Sequence, residues 1–181
     1  MIVAGLLFLA FIAFATLRHH HPREISLFQA IDMSFPQARQ WSRDAKLVYA
    51  VSTDSGKAED GESRGRDGRW PDWNVVFVDQ KTGVNLLVAL RGGREAYTRE
   101  LLMAYKSPIN PNRLRYDSTS ALAFLQEVQG TSAIRKAHFE LLQQGTPVLR
   151  IYLDCILSGF QVTSIDEASG KIISKRQGAV D

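Results

Sequence analysis

Two stretches of this chain of 181 residues read in the same order: helix, strand, strand, turn, strand. Each closes its last hairpin on Asp, three residues and Gly, as Asp79-Gln80-Lys81-Thr82-Gly83 and as Asp166-Glu167-Ala168-Ser169-Gly170. Asp bonds its own backbone in a turn and Gly takes a positive φ without a steric cost. A short helix-plus-sheet unit leaves one sheet face bare unless its helix covers it, so two such units side by side can pool a core. The fold class expected is therefore α+β, with two helix-plus-antiparallel-sheet units at residues 34–91 and 117–181.

In the first unit, Ser34 caps a helix with Pro36 in its first turn and Ala38, Trp41 and Ala45 at helical spacing. Strands are expected over Lys46–Ser52, Trp73–Val78 and Val84–Leu90. Between them, Thr53–Asp72 is rich in Gly, Ser, Asp, Glu and Arg, which predicts a solvated loop. Gly92 and Gly93 then break the pattern. Residues 92–116 are read as a basic connector with a short helix over Arg94–Lys106, where Tyr97, Leu101, Ala104 and Tyr105 fall near one side. In the second unit, Ser118 or Ser120 caps a helix carrying Ala121, Leu122, Leu125 and Val128. Strands follow over Lys136–Gln143, Val148–Asp154, Phe160–Ile165 and Lys171–Ser174, and Gln177–Asp181 should fray.

The amino terminus adds a segment of another kind. Residues Ile2–Leu17 hold no charge. As a helix at about 1.5 Å per residue they span roughly 24 Å, against a bilayer core of about 30 Å. Arg18 to Arg23, with His19, His20 and His21 between, end the run sharply, and Ala13-Phe14-Ala15 offers small residues at the positions a signal peptidase reads. Residues 1–17 are thus a signal peptide or membrane anchor and 18–33 a juxtamembrane linker. Arg18 and Arg23 lie after the apolar run, which by the positive-inside tendency keeps the domain in the cytoplasm; the Ala-x-Ala site favours export. The expectation is a domain outside the cytoplasm, membrane-anchored or secreted, with anchoring and a cytoplasmic domain as the alternative. The histidine tract reads as a solvated flank, and no metal site is expected.

The helix Ser34–Ala45, strand Trp73–Val78 and turn Asp79–Gly83, repeated as helix Ser118–Val128, strand Phe160–Ile165 and turn Asp166–Gly170, resemble the PepSY family, a small domain of cystatin-like layout. The resemblance covers about three quarters of the chain. It implies two tandem divergent copies in a protein outside the cytoplasm, one that holds a peptidase inactive or binds a partner in the cell envelope. The long polar loop and the lack of an attached peptidase segment depart from that family.

No Walker loop, HExxH, GxSxG or CxxC pair occurs. Cys155 and His138 are the one nucleophile–base pair on offer, and a lone cysteine is usually a small buried apolar residue. Asp117, Glu127, Glu140 and Asp154 are scattered carboxylates. A net charge of +3 does not call for nucleic acid. Neither catalysis nor a cofactor is expected; the alternatives are a structural envelope component and a hydrolase with an unrecognised site. The candidate binding residues are Arg64, Arg66 and Arg69 in the polar loop, Trp70 and Trp73 at its boundary, and Arg91, Arg94, Arg99, Arg113 and Arg115 around the connector. The plain reading of those arginines is a solvated face. The functional reading is contact with anionic lipid head groups or an acidic protein partner, and an exposed Trp marks a contact site.

Overall fold

The computed structural model describes residues 22–54, 63–102, 105, 107–129, 133–156 and 159–178. Two α-helices, α1 (Leu27–Trp41) and α2 (Ser118–Gln129), pack on eight strands: β1 (Ala45–Ser52), β2 (Trp73–Asp79), β3 (Asn85–Arg91), β4 (Arg94–Leu101), β5 (Ile134–Gln144), β6 (Thr146–Cys155), β7 (Gly159–Asp166) and β8 (Ile172–Gln177). All eight form one antiparallel sheet in the order β4-β3-β2-β1-β5-β6-β7-β8. This corrects the expected two helix-plus-sheet units. The main core, with Leu47, Trp73, Phe77, Phe139, Leu149 and Ile151 among its members, runs across the sheet under both helices, and a smaller cluster of Val48, Val76 and Val78 lies apart from it. The expected membrane segment, residues 1–17, lies outside the described residues, among which no helix is long and apolar enough to cross a membrane.

The first helix starts earlier than its Pro suggests. Ser26 is the N-cap: its Oγ accepts from the Gln29 backbone N–H, and the Gln29 side chain accepts from the Ser26 N–H. This reciprocal box satisfies two of the donors that a helix start leaves open. Ser34, read as the cap, sits mid-helix with its hydroxyl donating to Ala30 O at 2.8 Å. Leu27, Ala30, Ile31, Ser34 and Ala38 form the buried stripe. Residues from Ile25 onward are thus part of the domain rather than of a linker. Asp117 and Ser118 tie the two helix starts together, because Phe28 N donates to Asp117 Oδ1 and Leu27 N to Ser118 Oγ, both at 2.9 Å. An anion there suits the positive ends of both helix dipoles.

The helix expected over Arg94–Lys106 is instead the edge strand β4. Arg91 pairs with Arg94 around Gly92 and Gly93, whose φ angles of 57° and 66° make the tight two-residue turn of a hairpin. Seven of the eight β4 residues are exposed. With no buried side there is no period to read, and the alternating charges protect the edge from further pairing. Further along the connector, where no helix is expected, Pro111–Arg113 forms a 3-10 turn. The two Asp-to-Gly turns form as expected: Gly83 N donates to Asp79 O at 2.8 Å and Gly170 N to Asp166 O at 2.7 Å.

The join between β1 and β5 is short. Only Tyr49–Leu142, Ala50–Leu141 and Val51–Glu140 pair. Past each end of this ladder a loop takes up the unpaired backbone. On one side Ile109 N donates to Leu47 O at 2.7 Å. On the other, Ala137 N donates to Arg64 O at 3.0 Å, and Trp70 Nε1 donates to Ala137 O at 2.6 Å. The connector and the described part of the polar loop are therefore wedges that seal the seam.

Candidate functional site

The boundary tryptophans are structural. Trp70 is 3% exposed and Trp73 0%. Trp70 stacks on His138 with ring centroids 4.3 Å apart, and Trp73 Nε1 donates to Ile25 O and Trp70 O, each at 3.1 Å. Neither indole is offered to a partner. Arg91 is a brace, with Nη1 donating to Trp73 O and Leu90 O and Nη2 to Asn74 Oδ1. The other arginines are exposed and divide by position. Arg64, Arg66 and Arg69 lie in the 63–70 segment, with Arg69 reaching Gln29 Oε1 at 3.4 Å, at the same end of the sheet as Arg91 and Arg94. Arg99 lies further along β4. Arg113 and Arg115 are at the opposite end, with Arg115 folded over Gly170 and donating to Ser169 O. The structure thus does not gather the ten candidates into one site.

The nucleophile–base pair is also separated. Cys155 is buried in the core opposite Ile134, while His138 faces Tyr152 across the β5–β6 ladder, three positions before Cys155 on β6. An odd offset along a strand puts the two on opposite faces. His138 Nδ1 lies 3.2 Å from Ser52 Oγ, and burial, helped by nearby Lys136, pushes its pKa down. Of the scattered carboxylates, Asp117 caps helices, and Asp154 pairs with Arg135 at 2.7 Å. Glu140 accepts from Tyr49 Oη at 2.9 Å, Tyr152 Oη at 2.6 Å and Arg150 Nη1 at 2.9 Å. Burial, reinforced by the Glu140 charge, raises both phenols above their ordinary range. This group staples β1, β5 and β6 across the seam. Among the described residues no group of three or more His, Cys, Asp or Glu is placed to hold a metal ion.

A concave site lies elsewhere. Between α1 and the connector runs a cleft of two adjoining lobes of about 680 and 550 Å³ that share Phe35, Arg39, Pro111 and Asn112. Its walls carry Ile31, Phe35, Leu47 and Ile109; its charged groups are Asp32 in the first lobe, Arg39 in both, and Arg43 and Lys46 in the second. The wall opposite α1 is rigid. Pro108 and Pro111 fix φ there, Asn110 Oδ1 accepts from Asn112 N at 3.1 Å, and buried Ile109 anchors the loop to β1. Arg39 lies in the last turn of α1, where a cation suits the helix dipole, and its guanidinium stands 5.4 Å from the Phe35 ring centroid. Arg39, Arg43 and Lys46 are exposed and form no ion pair among the described residues. Pockets of this size that combine apolar walls with a few convergent polar groups are the usual form of a ligand site. The sequence gives no sign of it, since the three cations fall on a helix end and a strand start, and only the tertiary return of residues 108–112 makes them a wall.

No family model matches this sequence, and no curated protein does. Among solved structures, a protein of Clostridium difficile 630 described as a "putative lipoprotein" has a TM-score of 0.53 and 12% sequence identity, over 80% of this chain and 90% of that one. At that identity the likeness is one of fold.

Proposed function

We propose that this chain is a non-catalytic binding module, held at a membrane by residues 2–17 with its domain outside the cytoplasm, and that the cleft beside α1 takes an acidic segment of a protein partner. The observation that carries this reading is the wall of three cations, Arg39, Arg43 and Lys46, without ion pairs among the described residues and set over apolar side chains. Such a wall favours a carboxylate-bearing chain with aliphatic residues between its charges. The apolar amino-terminal run and the lipoprotein description of the structural neighbour support the envelope location.

Two measurements test it. The full chain is titrated with a fluorescent peptide of alternating Glu and Leu. Exposed charge pairs are worth about 0.2–1 kcal/mol each, so Arg39→Gln, Arg43→Gln and Lys46→Gln together should weaken binding about tenfold, and added salt should do the same to the parent. Equal binding by the triple variant, or by a Gln–Leu peptide, refutes the cleft. A reporter fused after Asp181 that is active on the cytoplasmic side refutes the location.

A further inference from the structure

We infer that the end of the sheet carrying the β3–β4 turn is the membrane-facing end of the domain and lies on anionic lipid head groups. This rests on the proposal that residues 2–17 sit in a membrane. The described chain begins at Pro22, and it begins pinned: Arg23 N donates to Gly92 O at 3.2 Å, Ile25 and Trp70 exchange backbone hydrogen bonds at 2.9 Å, and Ser63 N donates to Glu24 Oε1 at 2.8 Å. Residues 18–21 stand between this point and the apolar run, and four extended residues reach at most about 14 Å. The tether is therefore too short to let this end leave the head-group region.

The surface there fits that neighbour. Arg23, Arg64, Arg66, Arg69 and Arg94 are exposed. The described carboxylates at this end have partners: Glu24 with Ser63 N and Asp72 with Gly92 N in part-buried bonds, and Asp67 with Arg69 N, Glu95 with Gln37, Asp54 with Lys136 and Asp154 with Arg135 in exposed ones. Glu59, Asp60 and Glu62 follow in sequence outside the described residues and are kept in every variant below. At the same end, past the finish of β6 and at the start of β7, Ile156 and Phe160 are 58% and 48% exposed. Cations with apolar side chains beside them suit an anionic interface, where each basic residue adds to the attraction. The cationic lobe of the cleft, built from the C-terminal end of α1 and the start of β1, is at the opposite end of the sheet and so points away from the bilayer.

The test uses the full chain in vesicles of phosphatidylglycerol and phosphatidylcholine containing a lipid-borne quencher. One fluorophore is placed on Asp67→Cys at the near end or on Gln80→Cys in the far turn, Cys155 being buried. Flotation reports the tether, and quenching reports which end faces the lipid. The expected result is flotation with quenching at least threefold stronger at position 67 than at position 80. That difference should shrink in 0.5 M NaCl or in pure phosphatidylcholine, and also when Arg23, Arg66, Arg69 and Arg94 are changed to Gln. Flotation with equal or reversed quenching overturns the inference while leaving the tether standing. A difference that ignores salt and lipid charge overturns the head-group contact. Failure to float overturns the tether itself, and this inference with it.

Discussion

Replacing Trp70 by Ala should cost the domain about 4–5 kcal/mol. The indole is almost wholly buried, and truncating a buried Trp costs about 3–5 kcal/mol through lost contacts and the cavity left behind. Its N–H also serves Ala137 O, a seam carbonyl whose loss of partner adds about 1 kcal/mol. With a urea m-value of about 2 kcal/mol/M the midpoint should fall by about 2 M. Trp70→Phe keeps the larger part of the apolar area but removes the donor and two ring carbons, so it should lose about 2–3 kcal/mol. Equilibrium urea unfolding of the three proteins, followed by circular dichroism and by peptide binding at the cleft, separates the roles. A Trp70→Ala loss below 1 kcal/mol, or a drop in partner binding at unchanged stability, would refute the wedge and restore the indole as a contact residue.

Gly68→Ala should destabilise by more than about 2 kcal/mol: its φ is +82°, and an added Cβ meets Thr119 backbone at 2.5 Å; a melting temperature within 1 °C of the parent would contradict this. Glu140→Ala leaves two phenols and Arg150 without their acceptor and should cost about 2–3 kcal/mol, read from the urea midpoint; a neutral effect would mean that the group does not hold the seam. Glu167 is buried and accepts from Arg115 N and Tyr116 N. Burial, the larger influence, raises its pKa above the ordinary glutamate value, against the pull of those two donors. Folding then favours its protonated form, so its contribution is full below the ordinary glutamate range and is lost as pH rises through the raised folded value. The midpoint difference, parent minus Glu167→Gln, should therefore decline from pH 4 upward; a flat difference would show that the carboxyl ionises as freely in the fold as in the unfolded chain.

Most strands and both Asp-to-Gly turns were legible because alternation and turn chemistry are local. The start of α1 is signalled by Ser26 and Gln29 at capping-box spacing, but Pro36, which favours a first helical turn, points to a cap eight positions later at Ser34. The β4 reading failed for a different reason. An edge strand with seven of eight residues exposed shows no alternation, so Tyr97, Leu101 and Tyr105 mimic a helical period by chance, while Gly92-Gly93, which looks like a break in the pattern, specifies the hairpin turn. The union into one sheet was not readable at all, because it depends on three residue pairs between β1 and β5 and on loops whose polar composition hides Trp70 and Ile109 as anchors. The cleft is invisible for the same reason: Arg39, Arg43 and Lys46 become a site only when Pro108–Asn112 folds back beside them.

The short seam also dictates an order of events in folding. Five of the six hairpins close over a few residues, at little entropic cost, and β1–β2 closes over the polar loop 53–72, whereas the Tyr49–Glu140 bond that crosses the seam spans 91 positions and the Trp70–Ala137 bond 67. Loop closure must be met before such contacts return anything, and three ladder pairs return little by themselves. The four strands on each side therefore form early, and the sheet becomes whole only when both wedges seat. Until then the inner edges of β1 and β5 stand open as templates for other chains. Residues that look like loop filler thus guard the newly made chain against pairing with its neighbours.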